Sequence, residues 1–232
     1  MKKIVSLFFL LVIIAGIATH LTSCKSEPSS DVNQDKIYTE YELYYDANQD
    51  KTYARAWFKF SNITGTLLEL ASPSEVTFNG DVLTFNSTLA YYEKEYAGKI
   101  SSGTFVWTDT QGITKTNSIS MTTIDYPAVM PDTIPQDNSY ALFWVGDSLS
   151  ANHHVILTVT AQINESTLQI FYQDDLNSKS IILAKNKLQL LPVGGIHLYM
   201  DRTYSPALTQ QTTAGGTIKG RYRPDNKLIQ LN

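Results

Sequence analysis

The chain has 232 residues, 18 basic and 22 acidic, for a net charge of −4, and a single cysteine, Cys24. A mildly acidic chain lacks the basic field that nucleic acid requires, and one cysteine excludes a disulfide framework. The chain is long enough to build its core without covalent staples.

Met1-Lys2-Lys3 makes a short basic start, and Ile4 to Ile17 is an apolar run broken only by Ser6 and Gly16. At about 1.5 Å per helical residue the run covers roughly 21 Å, short of the roughly 30 Å of bilayer hydrocarbon. It reads as a cleaved export signal. Leu21-Thr22-Ser23-Cys24 follows, and this tetrapeptide resembles the lipobox of bacterial lipoproteins. The resemblance implies removal of residues 1–23, a covalent lipid on Cys24 as the sole prosthetic group, and attachment to a membrane. It also implies outer-membrane sorting, because Lys25 stands where an Asp favours inner-membrane retention. Whether the protein faces the periplasm or the outside is left open. Residues 24–36, polar and with one Pro, read as the lipidated Cys and a flexible tether, roughly 40 Å at full extension.

From Ile37 onward the pattern is strand after strand. Ile37, Thr39, Tyr41, Leu43 and Tyr45 alternate onto one face, as do Ala54, Ala56, Phe58 and Phe60. Asn79-Gly80 supplies the positive φ pair of a type I′ hairpin and aligns Val76, Phe78, Leu83 and Phe85. No stretch carries a sustained helical period, so the fold class is all-β. Five short matches recur in order. Tyr41–Asp46 pairs with Tyr140–Trp144 and Asp147, Asn62–Leu70 with Ile163–Ile170, and the turn at Asn79-Gly80 with Lys185-Asn186. Tyr92–Tyr96 then pairs with Tyr199–Tyr204, and Gly103–Phe105 with Gly216–Ile218. Ordered self-similarity predicts a tandem duplication. The expected product is two immunoglobulin-like antiparallel β-sandwiches, residues 37–125 and 126–232, joined at the Pro-spaced Tyr126–Gln136. A single larger sandwich is the alternative.

Several segments invite a chemical reading. Gly146-Asp147-Ser148-Leu149-Ser150 resembles the nucleophile block of GDSL esterases, which implies a Ser148 nucleophile. The late Asp-x-x-His and the Gly-x-Asn-Asp block of that family are both missing. The repeat makes Asp147 and Ser148 the counterpart of the turn Asp46–Asp50, so no catalytic residue is assigned and the protein is read as no enzyme. Asp46-x-Asn48-x-Asp50 opens like a Ca²⁺ loop, but Lys51 and Trp57 stand where Gly and Glu are needed. His153 and His154, adjacent on a strand, point to opposite faces and cannot share an ion; His197 is the remaining histidine after the signal. No metal is expected. Asp132-Thr133-Ile134 and Asp147-Ser148-Leu149 resemble the O-glycan acceptor motif of Bacteroidota, at Thr133 and Ser148.

Lys219, Arg221 and Arg223 lie two apart on one strand face. They are the candidate ligand contacts, for an anionic glycan, and otherwise a solvated face or an edge guard. The sequence therefore points to a membrane-tethered, non-enzymatic envelope protein with a binding or structural role. Its partner is an envelope protein or a glycan, and a carbohydrate-binding or adhesin-like surface module is the alternative. Exposed loops and coplanar rings would favour glycan, and a long apolar edge strand a protein.

Overall fold

The computed structural model describes residues 26–232; the export signal and Cys24 lie outside the described residues. The stretch expected as a tether is ordered from Glu27 onward. Strand β1 (Glu27–Pro28) pairs in parallel with β4 (Leu68–Glu69), and Ser29 and Gln34 are buried. Gln34 Nε2 donates to the carbonyls of Ser29 (2.7 Å) and Val32 (3.0 Å), while the Asp35 carboxylate accepts from Thr213 N at 3.0 Å. Polar composition reads as a linker, but here the polar groups are buried with their hydrogen bonds made, which removes the penalty of burying them.

The first half follows the alternation. Strands β2 (Ile37–Asp46) and β3 (Lys51–Phe60) form a ten-pair antiparallel ladder. Ile37, Thr39, Tyr41, Leu43 and Tyr45 are buried on the inner side. Strands β5 (Glu75–Phe78) and β6 (Asp81–Val82) turn at Asn79 (φ +51°) and Gly80 (φ +89°), the type I′ geometry expected. Then come β7 (Thr84–Asn86), β8 (Tyr91–Ala97), β9 (Ser102–Thr108) and β10 (Thr114–Ser120). A β10-β9-β5-β6 sheet faces the β2-β3-β8-β7 side. Between them lies an aromatic core, with Tyr41 stacked on Phe105 (5.0 Å), Phe105 against Phe78 (4.8 Å) and Phe58 against Trp107 (5.2 Å).

The second half contains β11 (Thr133–Ile134), β12 (Tyr140–Phe143), β13 (His153–Ala161), β14 (Asn164–Gln173) and β15 (Ser180–Leu183). After a four-residue helix α1 (Lys185–Leu188) come β16 (Gly194–Tyr204), β17 (Gly216–Arg223) and β18 (Lys227–Leu231). Its core is aliphatic: Val155, Leu157, Val159, Ile196, Leu198 and Met200 face Leu142, Ile181, Leu183 and Leu188. The chain passes from one core to the other between Met121 and Ile124. The Pro-spaced stretch is not a free link, because Tyr126 and Ile134 are buried in the second core.

The all-β class holds, but the arrangement differs from two separate sandwiches. One ten-stranded sheet, with the path β11-β18-β16-β17-β2-β3-β8-β7 and β13-β14 attached to β16, runs through both halves. Its seam is β17, antiparallel to β16 and parallel to β2 over eight residues. Ile218, assigned by sequence to the second unit, is buried in the first core. Gly220 permits this approach, since a Cβ there would stand 2.3 Å from the Ser120 carbonyl oxygen. The five matches fall on elements with different neighbours. Tyr41–Tyr45 sits inside the large sheet, whereas β12 pairs only with β15, and Lys185-Asn186 opens a helix rather than a hairpin.

Candidate binding surfaces of the continuous sheet

Lys219, Arg221 and Arg223 do project from one face, but β17 is an interior strand, which excludes the edge-guard role. The parallel register sets Lys219 beside Glu42, Arg221 beside Tyr44 and Arg223 beside Asp46. Glu42, only 3% exposed, faces Lys219 Nζ at 3.4 Å, Arg221 Nε at 3.2 Å and Arg55 Nη1 at 3.5 Å. Arg223 forks onto Asp201 through Nε (3.0 Å) and Nη2. Arg221 lies over the Tyr44 ring (3.9 Å to its centroid), which stacks on Tyr53, and Arg55 covers Tyr53 at 4.6 Å. Such cation–π layers contribute about 0.5–2 kcal/mol each. Arg223 is thus internally neutralised, while Lys219 and Arg221 share one carboxylate. Glu42 as their partner was not legible in the sequence, because it lies far upstream of β17 and reads as one more strand residue.

On this face Tyr44 and Tyr53 are almost buried, whereas Trp57, tilted 54° to Tyr91, stays partly exposed. The open feature is β14. It pairs only with β13, and Leu168, Ile170 and Tyr172 are exposed to 42%, 51% and 57%. Lys187 Nζ donates to the Ile170 carbonyl at 2.6 Å on the unpaired side.

The esterase-like block is not a hairpin. It carries the chain from the β12-β15 sheet to β13, and buried Arg202 fixes it, donating to the carbonyls of Asp147 (2.6 Å) and Ser148 (3.0 Å). The Asp46–Asp50 turn spends its carboxylates internally. Asp46 accepts from Asn48 N, Asn48 Nδ2 and Tyr44 Oη, and Asp50 accepts from Tyr45 Oη, whose own pKa is pushed up to about 12 by burial first and then by Asp50. Among the described residues no three His, Asp or Glu side chains converge as metal ligands. Thr133 is exposed and Ser148 half-buried.

His153 stacks on Tyr204 (4.6 Å) and His154 on Tyr172 (5.4 Å), on opposite faces as expected. Burial holds both imidazoles below their ordinary 6.5, helped by Arg202 at His153 and opposed by Asp174 at His154. A depressed pKa means the unfolded chain binds more protons than the folded one below pH 6.5. Stability is therefore complete above that pH and is lost as pH falls through it. The melting temperature should drop between pH 7.5 and 5.5, and His153→Phe should flatten the slope. An identical slope in that variant would assign the effect elsewhere.

No known family matches the chain, and no curated protein matches it. Among solved structures it is similar to one described as structural insight into host cell surface retention of a 1.5-MDa bacterial ice-binding adhesin. The identity is 12% and the TM-score 0.23, over 86% of this chain and 66% of that one. The chain therefore spans just under two thirds of that structure's length.

Proposed function

We propose that the protein is a lipid-anchored, non-enzymatic envelope module that holds a protein partner by strand addition to β14. Attachment rests on the lipobox resemblance of Leu21–Cys24, and Lys25 favours the outer membrane. The ordered start at Glu27 supports a close attachment: the step from Cys24 to Glu27 extends at most about 10 Å, so the body stands against the headgroups.

The observation that carries the binding role is the open edge. Strand β14 is ten residues long, seven of them paired with β13, whereas the other outer strands of the sheet, β7 and β11, have three and two residues. An extended partner strand would satisfy the free N–H and C=O groups and cover Leu168, Ile170 and Tyr172. Lys187, bonded to the Ile170 carbonyl, guards the edge against indiscriminate pairing and yields to a strand that replaces its hydrogen bond.

A photo-crosslinking residue at Leu168 should give one discrete adduct in intact envelopes, and the same residue at Thr114 none. Ile170→Pro, which removes an edge donor while leaving the β13 ladder, should abolish the adduct. Cys24→Ala should release the protein from membranes. Adducts insensitive to Ile170→Pro would defeat strand addition, and a sedimenting Cys24→Ala protein would defeat the anchor.

A further inference from the structure

The outer face of the ten-stranded sheet carries a second feature, independent of the β14 edge. The β16–β17 ladder covers only Arg202–Tyr204 against Gly220–Tyr222, and where the strands diverge the face dips into a cleft of about 440 Å³. Strands from both halves line it: Trp57 from β3, Glu42 from β2, Lys219 and Arg221 from β17, and Thr203 with Ser205 at the end of β16. From β13 to β3 this face crosses four strand spacings, roughly 19 Å.

The charges here do not cancel. Asp201 binds Arg223 and lies 4.0 Å from Arg221 Nη1, while Glu42 meets Lys219, Arg221 and Arg55, the last also paired with Glu93; three carboxylates thus face four cations, and the cleft keeps a surplus of one positive charge. His154, at its far wall, adds no charge at neutral pH, because burial lowers its pKa. Arg221 is pre-positioned by its stacking on Tyr44 with its Nε buried against Glu42, and among the described residues its two Nη groups make no hydrogen bond. A fixed guanidinium with unspent donors matches a planar monoanion. Trp57 adds an aromatic surface, buried Thr203 lies in the floor of the cleft and exposed Ser205 at its rim.

We propose that this cleft binds an acidic sugar unit, with the carboxylate on Arg221 and Lys219, the ring against Trp57 and the hydroxyls toward Thr203 and Ser205. One surplus charge favours a carboxylate over a dianionic phosphate. The apolar ring face distinguishes a sugar from an acidic peptide.

The probe is trigalacturonic acid, titrated into the full-length protein in detergent and followed by calorimetry. Saturable binding is expected, weakening as salt rises from about 50 to 300 mM. The neutral galactose trimer and triglutamate should each bind at least tenfold more weakly. Arg221→Gln and Trp57→Ala should each reduce affinity at least tenfold with the melting transition retained; if Arg221→Gln does not fold, Lys219→Ala, half-exposed in the cleft, takes its place. Absence of saturation, equal affinity for either control trimer, or unchanged binding in the folded variants would overturn the proposal. Each of these outcomes leaves the β14 edge untouched.

Discussion

Cut at residue 125, the N-terminal half is expected to lose its cooperative melt. Two autonomous tandem domains would predict the opposite. Strand β17 closes the first core with Ile218, and Tyr204, Leu208 and Tyr222 pack beside it. The segment before β17 also straps onto the first half. Thr212 Oγ1 donates to the Ile37 carbonyl at 2.7 Å, and the Asn117 side chain accepts from Thr209 N and Gln210 N and donates to the Gln210 carbonyl. Removing one buried Ile side chain costs about 2–5 kcal/mol, against a total stability of about 5–15 kcal/mol for a domain. The cut also strips an eight-residue ladder from β2 and opens its edge. A fragment of residues 26–125 should show collapsed amide dispersion by NMR and no sharp thermal transition. Adding a peptide of residues 206–224 should restore part of the dispersion. A fragment that melts like the intact protein would establish independent domains.

This seam also marks the limit of what local pattern can reveal. Alternation identified β2 and β3 and their buried faces except at Phe60, which ends β3 and is exposed, and Asn79-Gly80 identified its hairpin, because these properties are set by neighbours within a few residues. Sheet membership is not. The motif of Tyr41–Tyr45 and that of Tyr140–Trp144 both encode a strand with one apolar side, yet one strand lies at the centre of ten and the other in a pair. The two cores are also unlike: seven of the 17 buried residues of the first are aromatic, against three of 19 in the second, so the short matches do not extend to packing. The basic stripe of β17 was legible as one face. The carboxylates that meet it, Glu42 and Asp201, were not, since pairing with β2 brings together residues far apart in the chain. The tether failed as an expectation for a related reason, because a buried Gln34 satisfied by backbone carbonyls looks the same in sequence as an exposed one.

Arg202→Ala should be the most damaging single substitution in the second half, at about 3–5 kcal/mol, while Ser148→Ala should stay within about 0.5 kcal/mol. Arg202 is 2% exposed, and its pKa is lowered by burial, only partly offset by Asp147. It persists as a buried cation because its two Nη groups meet the carbonyls of Asp147 and Ser148. Trp144 Nε1 donates to the same Asp147 carbonyl at 3.2 Å, and Leu149 inserts into the core, exchanging backbone bonds with Asn177 and Ser178. Truncation would leave two carbonyls short of a charged donor and open a void beside β13, two independent losses. Hydrogen exchange should then rise first across residues 144–150, ahead of β13 and β16. Arg202→Met refills the volume without the donors, so it should recover the packing share alone; equal losses for Met and Ala would assign the whole effect to hydrogen bonding. The contrast with Ser148 bears on the esterase resemblance directly. A nucleophile would make Ser148→Ala kinetically severe and structurally silent, whereas the geometry makes this block a crossover whose backbone, rather than its hydroxyl, is under restraint. Ester hydrolysis abolished by Ser148→Ala would reverse that assignment.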